Sequence, residues 1–347
     1  MKKFHEAICT EGMSKIMVTI KDVAKSAEVN VSTVSKVFNN YNGIAAATRE
    51  KVFKAAKDLG YIPSKSAAEL SRGVQPYLGL IINNLNTNSA KDEYIFRIVS
   101  GVQERSSELD MDLTLFTTTQ IKKKDYSYVD FCKRHRLLGA IVHGLNMNDP
   151  YLAELLESPL PCVLIDIEHE SPTAAFISTD NVQAAEDVVQ LMYDKGLRRL
   201  CHILGNPDAD VTMRRREGFE NAARRLGLHD IITIPGDFNE HAAYESMKNA
   251  LESRKDLQGV FASSDLMALG AMRAISEAGL AIGKDISLIG FDGLTALEYT
   301  SPSIATVRQD FHSMGRIAVD TLINIFEGKN FQARNYVPYN LLRRESI

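Results

Sequence analysis

The run Arg214-Arg215-Arg216 has the chemistry to meet a phosphate, although the start of a solvated helix accounts for two of its three guanidinium groups. Gly279-Leu280-Ala281-Ile282-Gly283-Lys284 has the outline of a phosphate loop, but it is one residue short. Asp285 also stands where that loop needs Ser or Thr, so the segment reads as a turn between a helix and a strand. No HExxH or GxSxG occurs, and no GxGxxG follows a strand. The four cysteines, Cys9, Cys132, Cys162 and Cys201, lie far apart with no CxxC pair, which argues against both a zinc site and a disulfide framework. The expectation is therefore no enzyme, no metal and no cofactor. Recognition is the chemistry that remains.

The elements that must position a recognising residue divide the chain unevenly. Its 347 residues, 45% hydrophobic and 24% charged with 21 Gly and 10 Pro, suit two or three folded domains and neither a fibrous nor a disordered class. No apolar stretch approaches the roughly 18 residues of a membrane span. Charges interrupt the first residues before a secretory signal can form, so a cytoplasmic protein is expected. The net charge of -4 conceals a basic front, because residues 17–73 hold nine Lys or Arg against five Asp or Glu. A basic segment joined to an acidic body suggests a polyanion partner at the front.

Patterning strengthens that suggestion. Thr19-Ile20-Lys21-Asp22 reads as an acidic capping box, with Ile20, Val23, Ala24 and Ala27 following at helical spacing. A break at Glu28-Val29-Asn30 leads into a second helix from Val31 to Phe38, capped by Asn30. There Val34, Val37 and Phe38 face inward, leaving Val31, Ser32, Ser35 and Lys36 outward. A third helix is expected from about Thr48 to Leu59, with Val52, Phe53, Ala56 and Leu59 inward and Gly60 as its stop. Two short helices joined by a tight turn predict a helix-turn-helix, whose second helix fits the major groove. From Tyr77 onward, strand-like runs alternate with amphipathic helices. The strands expected are Leu78–Ile82, Leu113–Thr117, Ala140–His143, Cys162–Ile167, Leu200–Leu204, Val260–Ala262 and Ile286–Phe291. Helical patterns include Ile95–Leu109, Ala184–Tyr193, Arg216–Leu226, Tyr244–Leu251 and Leu266–Ala278. Such alternation predicts parallel sheets with right-handed crossovers, and the size of this region predicts two lobes with a cleft. Ligands in such sheets bind beyond the carboxyl ends of the strands.

VTIKDVAKSAEVNVSTVSKVFNN, followed by TREKVFKAAKDLGYIPSKSAAELSRG, resembles the DNA-binding headpiece and hinge of the LacI/GalR family of transcriptional regulators. IGFDG at Asp292, SSDLMALGAMRAISEAG, RREGF and TVRQDFHSMG are similar to that family's effector-binding core, which resembles periplasmic sugar-binding proteins. Nearly the whole chain from Val18 is covered. The resemblance implies an all-α helix-turn-helix headpiece at 17–62, a hinge helix and linker at 63–75, and a two-lobed, doubly wound α/β core at 76–347. Residues 1–16 remain an extension without an assigned role, and Met13 and Met17 are alternative starts to Met1. Implied DNA contacts are Thr19, Val31, Ser32, Thr33, Ser35, Lys36 and Asn39 in the headpiece and Ser64, Ala67 and Leu70 in the hinge. Leu70 takes the place of the leucine that two subunits wedge together into the minor groove, kinking the duplex. Implied effector contacts are Arg215, Ser264, Asp265 and Asp292, then Phe238 against a sugar's apolar face, and Tyr94, His143, Asp166 and Gln309. A polyol needs paired donors and acceptors, which Arg and Asp side chains supply.

Three positions depart from the family pattern. Lys36 stands where Arg is common and lacks the planar fork that reads guanine. Ala45 replaces a Ser cap on the third helix, a loss of about 1 kcal/mol. Ser264 stands where relatives that bind free sugars usually have Asn. Ser64 to Arg72 is too short for a stable isolated helix, so it is expected to order on docking. The implied partners are a pseudo-palindromic double-stranded operator, a sugar or sugar-phosphate effector and a second copy of the chain, with no membrane. The chain ends in NYVPYNLLRRESI, which has no room for the heptads of a tetramerising coiled coil. The implied function is a ligand-responsive repressor of carbohydrate-utilisation genes, released from its operator by the effector. An activator or a corepressor-dependent regulator is the alternative within the family. A transport-type sugar-binding protein shares the core, but the complete headpiece and hinge argue against it.

Overall fold

The computed structural model describes residues 18–38, 44–61, 77–83, 92–122 and 126–347. Asn39, Ser64, Ala67 and Leu70 lie outside them. In the headpiece, Ile20–Ser26 (α1), Val31–Phe38 (α2) and Ala46–Asp58 (α3) pack around Val23, Val34, Val37, Val52 and Ala56. The Asp22 carboxylate accepts hydrogen bonds from the Thr19 amide at 2.8 Å and the Thr19 hydroxyl at 2.6 Å. These bonds favour the ionised form and hold Asp22 below the usual carboxylate range. Glu28, at φ 54°, makes the left-handed turn into α2, and the Asn30 carbonyl accepts from the Val34 amide at 3.2 Å.

The buried stripe of α3 corrects the sequence reading. Ala55 is buried beside Val52 and Ala56, whereas Phe53 is 47% and Leu59 36% exposed. Each helical residue steps about 100° around the axis, so position 53 lies off the face that carries 52 and 56. The Phe53 ring still meets Phe38 edge-on, with centroids 5.6 Å apart. Ala45 is the N-cap of α3 and supplies no side-chain cap bond.

The first lobe is built from β1 (Tyr77–Ile82), α4 (Asp92–Glu108), β2 (Leu113–Thr117), α5 (Thr118–Lys122), α6 (Tyr128–His135), β3 (Leu137–His143), α7 (Leu152–Glu157), β4 (Cys162–Ile165) and β5 (Ala174–Ser178). The second contains α8 (Asn181–Asp194), β6 (Leu200–Leu204), α9 (Asp210–Arg225), β7 (Ile231–Pro235), α10 (Glu240–Ser253), β8 (Gly259–Ala262), α11 (Asp265–Glu277), β9 (Ser287–Asp292) and β10 (Ala305–Arg308). The chain then returns. Its last elements are α12 (Phe311–Phe326), β11 (Arg334–Tyr336) and β12 (Asn340–Leu342). Helix α12 buries Phe311, Met314, Ala318 and Leu322 against the first sheet. Strand β11 joins β5 in parallel, and β12 joins β10 as the one antiparallel pairing among the described strands.

Strand order is β11-β5-β4-β3-β1-β2 in one sheet and β12-β10-β9-β8-β6-β7 in the other. Successive residues of β1 point to opposite faces, Leu78, Leu80 and Ile82 into one core and Ile81 into another. Burial on both faces is what a parallel sheet wrapped by helices requires. The sequence reading passes over β5, β7, β10, β11, β12 and the helices α5, α6, α7 and α12, and it misplaces several boundaries, among them the start of β3, which is Leu137 and not Ala140. Strand β4 ends at Ile165, not Ile167, because Asp166 at φ 65° leaves the extended region. Helix α9 begins at Asp210, not Arg216, which places Arg215 inside the helix.

Among the described residues, three segments pass between the lobes, after β5, after β10 and after β11. Two of them are bonded to each other, the Val337 amide donating to the Ser178 carbonyl at 2.8 Å. The third carries Gln309, whose amide donates to the Asp292 carbonyl at 3.3 Å.

Candidate functional site

A cavity of about 940 Å³ lies between the lobes, lined from the carboxyl ends of strands in both sheets. At its floor a chain of polar side chains runs along the inter-lobe segments. Ser178 at the end of β5 donates through its hydroxyl to Asp166 Oδ1 at 2.7 Å. Asn181 donates to that hydroxyl at 3.0 Å and accepts from Arg215 Nε at 2.8 Å. Arg215 Nη1 donates to the Ser263 carbonyl at 2.5 Å and lies 3.9 Å from Asp292 Oδ1. Gln309 Nε2 completes the run by donating to Asp292 Oδ1 at 3.0 Å.

Packing fixes the cation in this run. The guanidinium carbon of Arg215 sits 3.7 Å from the centroid of the Phe291 ring, and the residue is only 3% exposed. With Nε and Nη1 engaged, Nη2 makes no hydrogen bond among the described residues. Burial presses the Arg215 pKa down, opposed first by Asp292. Burial likewise pushes Asp292 well above the usual carboxylate range, and the attraction of Arg215 offsets only part of that rise.

Asp292 adopts φ 125°, a left-handed conformation costly for a residue with a Cβ. Its neighbour Asp265 holds that bend. The Asp265 carboxylate accepts from the amides of Gly293 at 2.7 Å and Leu294 at 2.6 Å and from the Thr306 hydroxyl at 2.6 Å. Burial raises Asp265 to about 6, against the pull of these three bonds. Asp265 does not line the cavity. Its expected place among the effector contacts is therefore a correction: its acceptor capacity is taken up inside the protein, where it positions Asp292.

The other expected effector residues line the cavity, namely Tyr94, His143, Asp166, Arg215, Phe238, Ser264, Asp292 and Gln309. Ser264 also caps α11, accepting from the Met267 amide at 3.2 Å. Tyr94 stacks on Phe311 with centroids 5.0 Å apart and meets the His143 ring edge-on at 5.8 Å. Burial holds His143 below the ordinary histidine range, so a neutral imidazole faces the cleft. His143 Nδ1 and Gln309 Oε1, in residues that line the cavity, are buried atoms with no hydrogen-bond partner among the described residues. Phe238, at φ 50°, lies over Gly205, where any Cβ would collide with its ring.

In the headpiece, Val31 is 41% exposed, and Ser32 and Lys36 are exposed beside it on one face of α2. Thr33 and Ser35 are half-buried. Thr19 is exposed, with its amide and hydroxyl both directed to Asp22. An exposed valine among small polar side chains near a helix start matches base-edge contact, including the thymine methyl.

Residues 19–64 match the model of the lacI family of bacterial regulatory proteins, and residues 189–347 match a periplasmic binding protein-like domain. The chain is 31% identical over 320 residues to the HTH-type transcriptional regulator MalR of Clostridium butyricum, an alignment spanning 90% of this chain and 94% of that protein. It belongs to the lacI family. The lactose operon repressor of Escherichia coli strain K12 is 28% identical over 338 residues, 95% of this chain and 90% of that one. Among solved structures, the transcriptional regulator CelR–cellobiose complex superposes with a TM-score of 0.70 at 26% identity, covering 95% of this chain and 99% of that chain. The lac repressor dimer bound to operator and the anti-inducer ONPF also gives 0.70, at 25% identity over 95% and 99%. As a lacI-family transcriptional regulator, the chain joins a helix-turn-helix to a two-lobed binding core.

Sequence reasoning missed several cleft residues of this regulator, including Asn83, Asn146, Asn206, Asp210, Asp237 and Glu240. A signal was available, because Asn83 directly follows β1 and Asn206 and Asp237 come two residues after β6 and β7. Polar residues just past a strand are where such sheets bind ligands. The cleft is also bridged at its rims. Glu93 accepts from the Thr295 hydroxyl at 2.7 Å, the Met147 amide donates to the Asp208 carbonyl at 2.8 Å, and the Glu168 amide donates to Asp210 Oδ2 at 2.9 Å. No described helix is long and apolar enough to cross a membrane.

Proposed function

We propose that the protein is a repressor that holds a pseudo-palindromic duplex as a homodimer and releases it when a sugar or sugar phosphate occupies the cleft. Helix α2 would enter the major groove with Val31, Ser32 and Lys36 at base edges, and Leu70 would serve as the wedge. The observation that carries this reading is the polar run from Asp166 to Gln309, because it lies along segments that pass between the lobes. A ligand that draws on Arg215, Asp292 and Gln309 acts where the lobes are joined. It can shift lobe geometry only through a difference in affinity between two arrangements. The relatives support the direction: one is a lactose operon repressor, and one structure holds cellobiose.

Selection of duplexes from a random library by the full-length protein, followed by fluorescence anisotropy, tests the reading. A two-fold symmetric site should emerge, and one of the candidate effectors maltose, cellobiose, ribose and glucose 6-phosphate, at millimolar concentration, should release it. Enrichment of no symmetric site would refute the DNA half of the proposal. Binding tightened by a ligand would replace the inducer logic with a corepressor.

A further inference from the structure

We infer that residues 133–136, at the headpiece end of the first lobe, form a second DNA contact that grips phosphates whatever the base sequence. The inference rests on the protein binding duplex DNA through its headpiece and adds the core to that grip.

Topology is the first argument. The cleft is lined from the carboxyl ends of strands in both sheets, so the amino ends of the two sheets lie at opposite poles of the core. The chain from the headpiece enters at Tyr77, the amino end of β1. Tyr77 pairs with Leu137, the first residue of β3, across one strand spacing of about 4.8 Å. Residues 133–136 immediately precede Leu137, as the last turn of α6 and its C-cap. The headpiece is within reach of them. Burial raises the pKa of the Tyr61 hydroxyl, and the charge of Arg136 draws it back down.

Charge is the second argument. Lys133, Arg134, His135 and Arg136 follow one another without interruption. Lys133 and Arg134 enter no ion pair among the described residues, the Arg134 guanidinium lying instead 5.2 Å from the centroid of the Tyr126 ring. By contrast, Arg105 of α4 and Arg316 of α12 both donate to the Glu108 carboxylate. The carboxylates of this pole stand to either side, Asp110 and Asp112 ahead of β2 and Glu157 ahead of β4. The strand order β4-β3-β1-β2 leaves the cations at the centre.

A helix C-terminus favours cations through its dipole, which accounts for the last turn of α6. It does not account for Arg136, whose φ of 55° is a left-handed C-cap conformation best suited to glycine. A guanidinium at such a position carries a conformational cost that a charge-assisted bond to a phosphate would offset. The partner this run fits is the phosphodiester backbone, because it holds cations and none of the amide or hydroxyl groups that help to read bases.

Salt-dependent anisotropy titrations of the full-length protein on a random-sequence duplex test this, because log K falls with log salt by about 0.9 for each phosphate neutralised. Lys133→Gln with Arg134→Gln removes about four cations from a dimer, so the slope should become shallower by roughly 3–4 and affinity near 0.1 M salt should fall at least ten-fold. The charge-keeping pair Lys133→Arg with Arg134→Lys should hold the wild-type slope, which separates charge from packing. Lys195→Gln with Lys255→Gln, exposed at the opposite pole ahead of β6 and β8, should leave slope and affinity as they are. A Lys133→Gln, Arg134→Gln variant with the wild-type slope would overturn the inference. So would a weaker affinity at unchanged slope, which marks a contact to the headpiece and not to DNA. A wild-type protein that binds no duplex would remove the DNA reading itself and this inference with it.

Discussion

Replacing Asp265 with alanine separates a ligand contact from an internal clamp. The side chain is fully buried, and its carboxylate takes three hydrogen bonds, from the Gly293 and Leu294 amides and the Thr306 hydroxyl. Asp265→Ala leaves three buried donors without an acceptor, at about 1–3 kcal/mol each, so a loss of about 3–9 kcal/mol is expected. Each kcal/mol lowers the midpoint of a domain this large by about 2–4 °C, which puts the drop at roughly 6–36 °C. Ser264→Ala is the control beside it. That residue lines the cavity and also caps α11 through the Met267 amide, so its loss should cost about 0.5–2 kcal/mol. Calorimetric melts of both variants without ligand read the difference directly. Because Asp265 also holds the Asp292 bend, effector affinity should fall together with stability in Asp265→Ala. A variant that melts like wild type yet has lost the effector would show that the carboxylate faces the ligand, and the clamp assignment would be wrong.

Other expectations follow from the same geometry. His202 is buried between Phe219 and Phe261, and burial lowers it to about 3. The unfolded chain therefore takes up that proton near pH 6.5 while the folded one does not, so stability is lost as pH falls from about 6.5 toward 3, by roughly 2 kcal/mol at pH 5. His202→Phe should flatten the melting midpoint over that window, and an unchanged slope would exclude His202 as its source. Arg215→Ala and Asp292→Ala should each abolish effector binding in calorimetry, since each leaves buried polar groups unpaired in the closed cleft. Leu70→Ala should weaken specific operator binding in anisotropy titrations and leave effector affinity unchanged; operator binding equal to wild type would remove Leu70 as the wedge. Sedimentation at micromolar protein should give twice 38.5 kDa with and without DNA, and a mass near four times the chain that persists on dilution would refute the dimer.

The legible parts of this protein were those with a local cause. Strand β1 and helix α11 are contiguous patterns with turn residues beside them, and both fall within a residue or two of expectation. Strands β7 and β10 are short edge or inter-lobe elements, and Ile231 and Arg308 give little periodicity to read. Their identity comes from pairing with β6 and β9, residues distant in the chain. The site divides the same way. Asp292 and Arg215 were visible as residues in motifs, but the sequence could not show that Asp265, adjacent to Ser264, turns away from the cleft. Its direction is set by Gly293, Leu294 and Thr306, which only the fold brings to it.

The route from ligand to DNA is constrained by where the bonds lie. Arg215 belongs to the second lobe, yet its Nε is held by Asn181, which also bonds Ser178 on the strand leaving the first. Asp292 ends a strand of the second lobe, and its partner Gln309 lies on the segment returning to the first. A ligand that engages the free edges of Arg215, Asp292 and Gln309 therefore acts on two of the three inter-lobe segments at once. The rims oppose any opening through Glu93 with Thr295 and Glu168 with Asp210. These rim contacts are exposed or half-buried, each worth little alone. A polar ligand that gains or loses a few hydrogen bonds between the two lobe arrangements is then comparable in energy to what holds the rims, which is the condition for a population shift rather than a mere occupancy. Weakening one rim should accordingly change how far a ligand shifts operator affinity more than it changes how tightly the ligand binds.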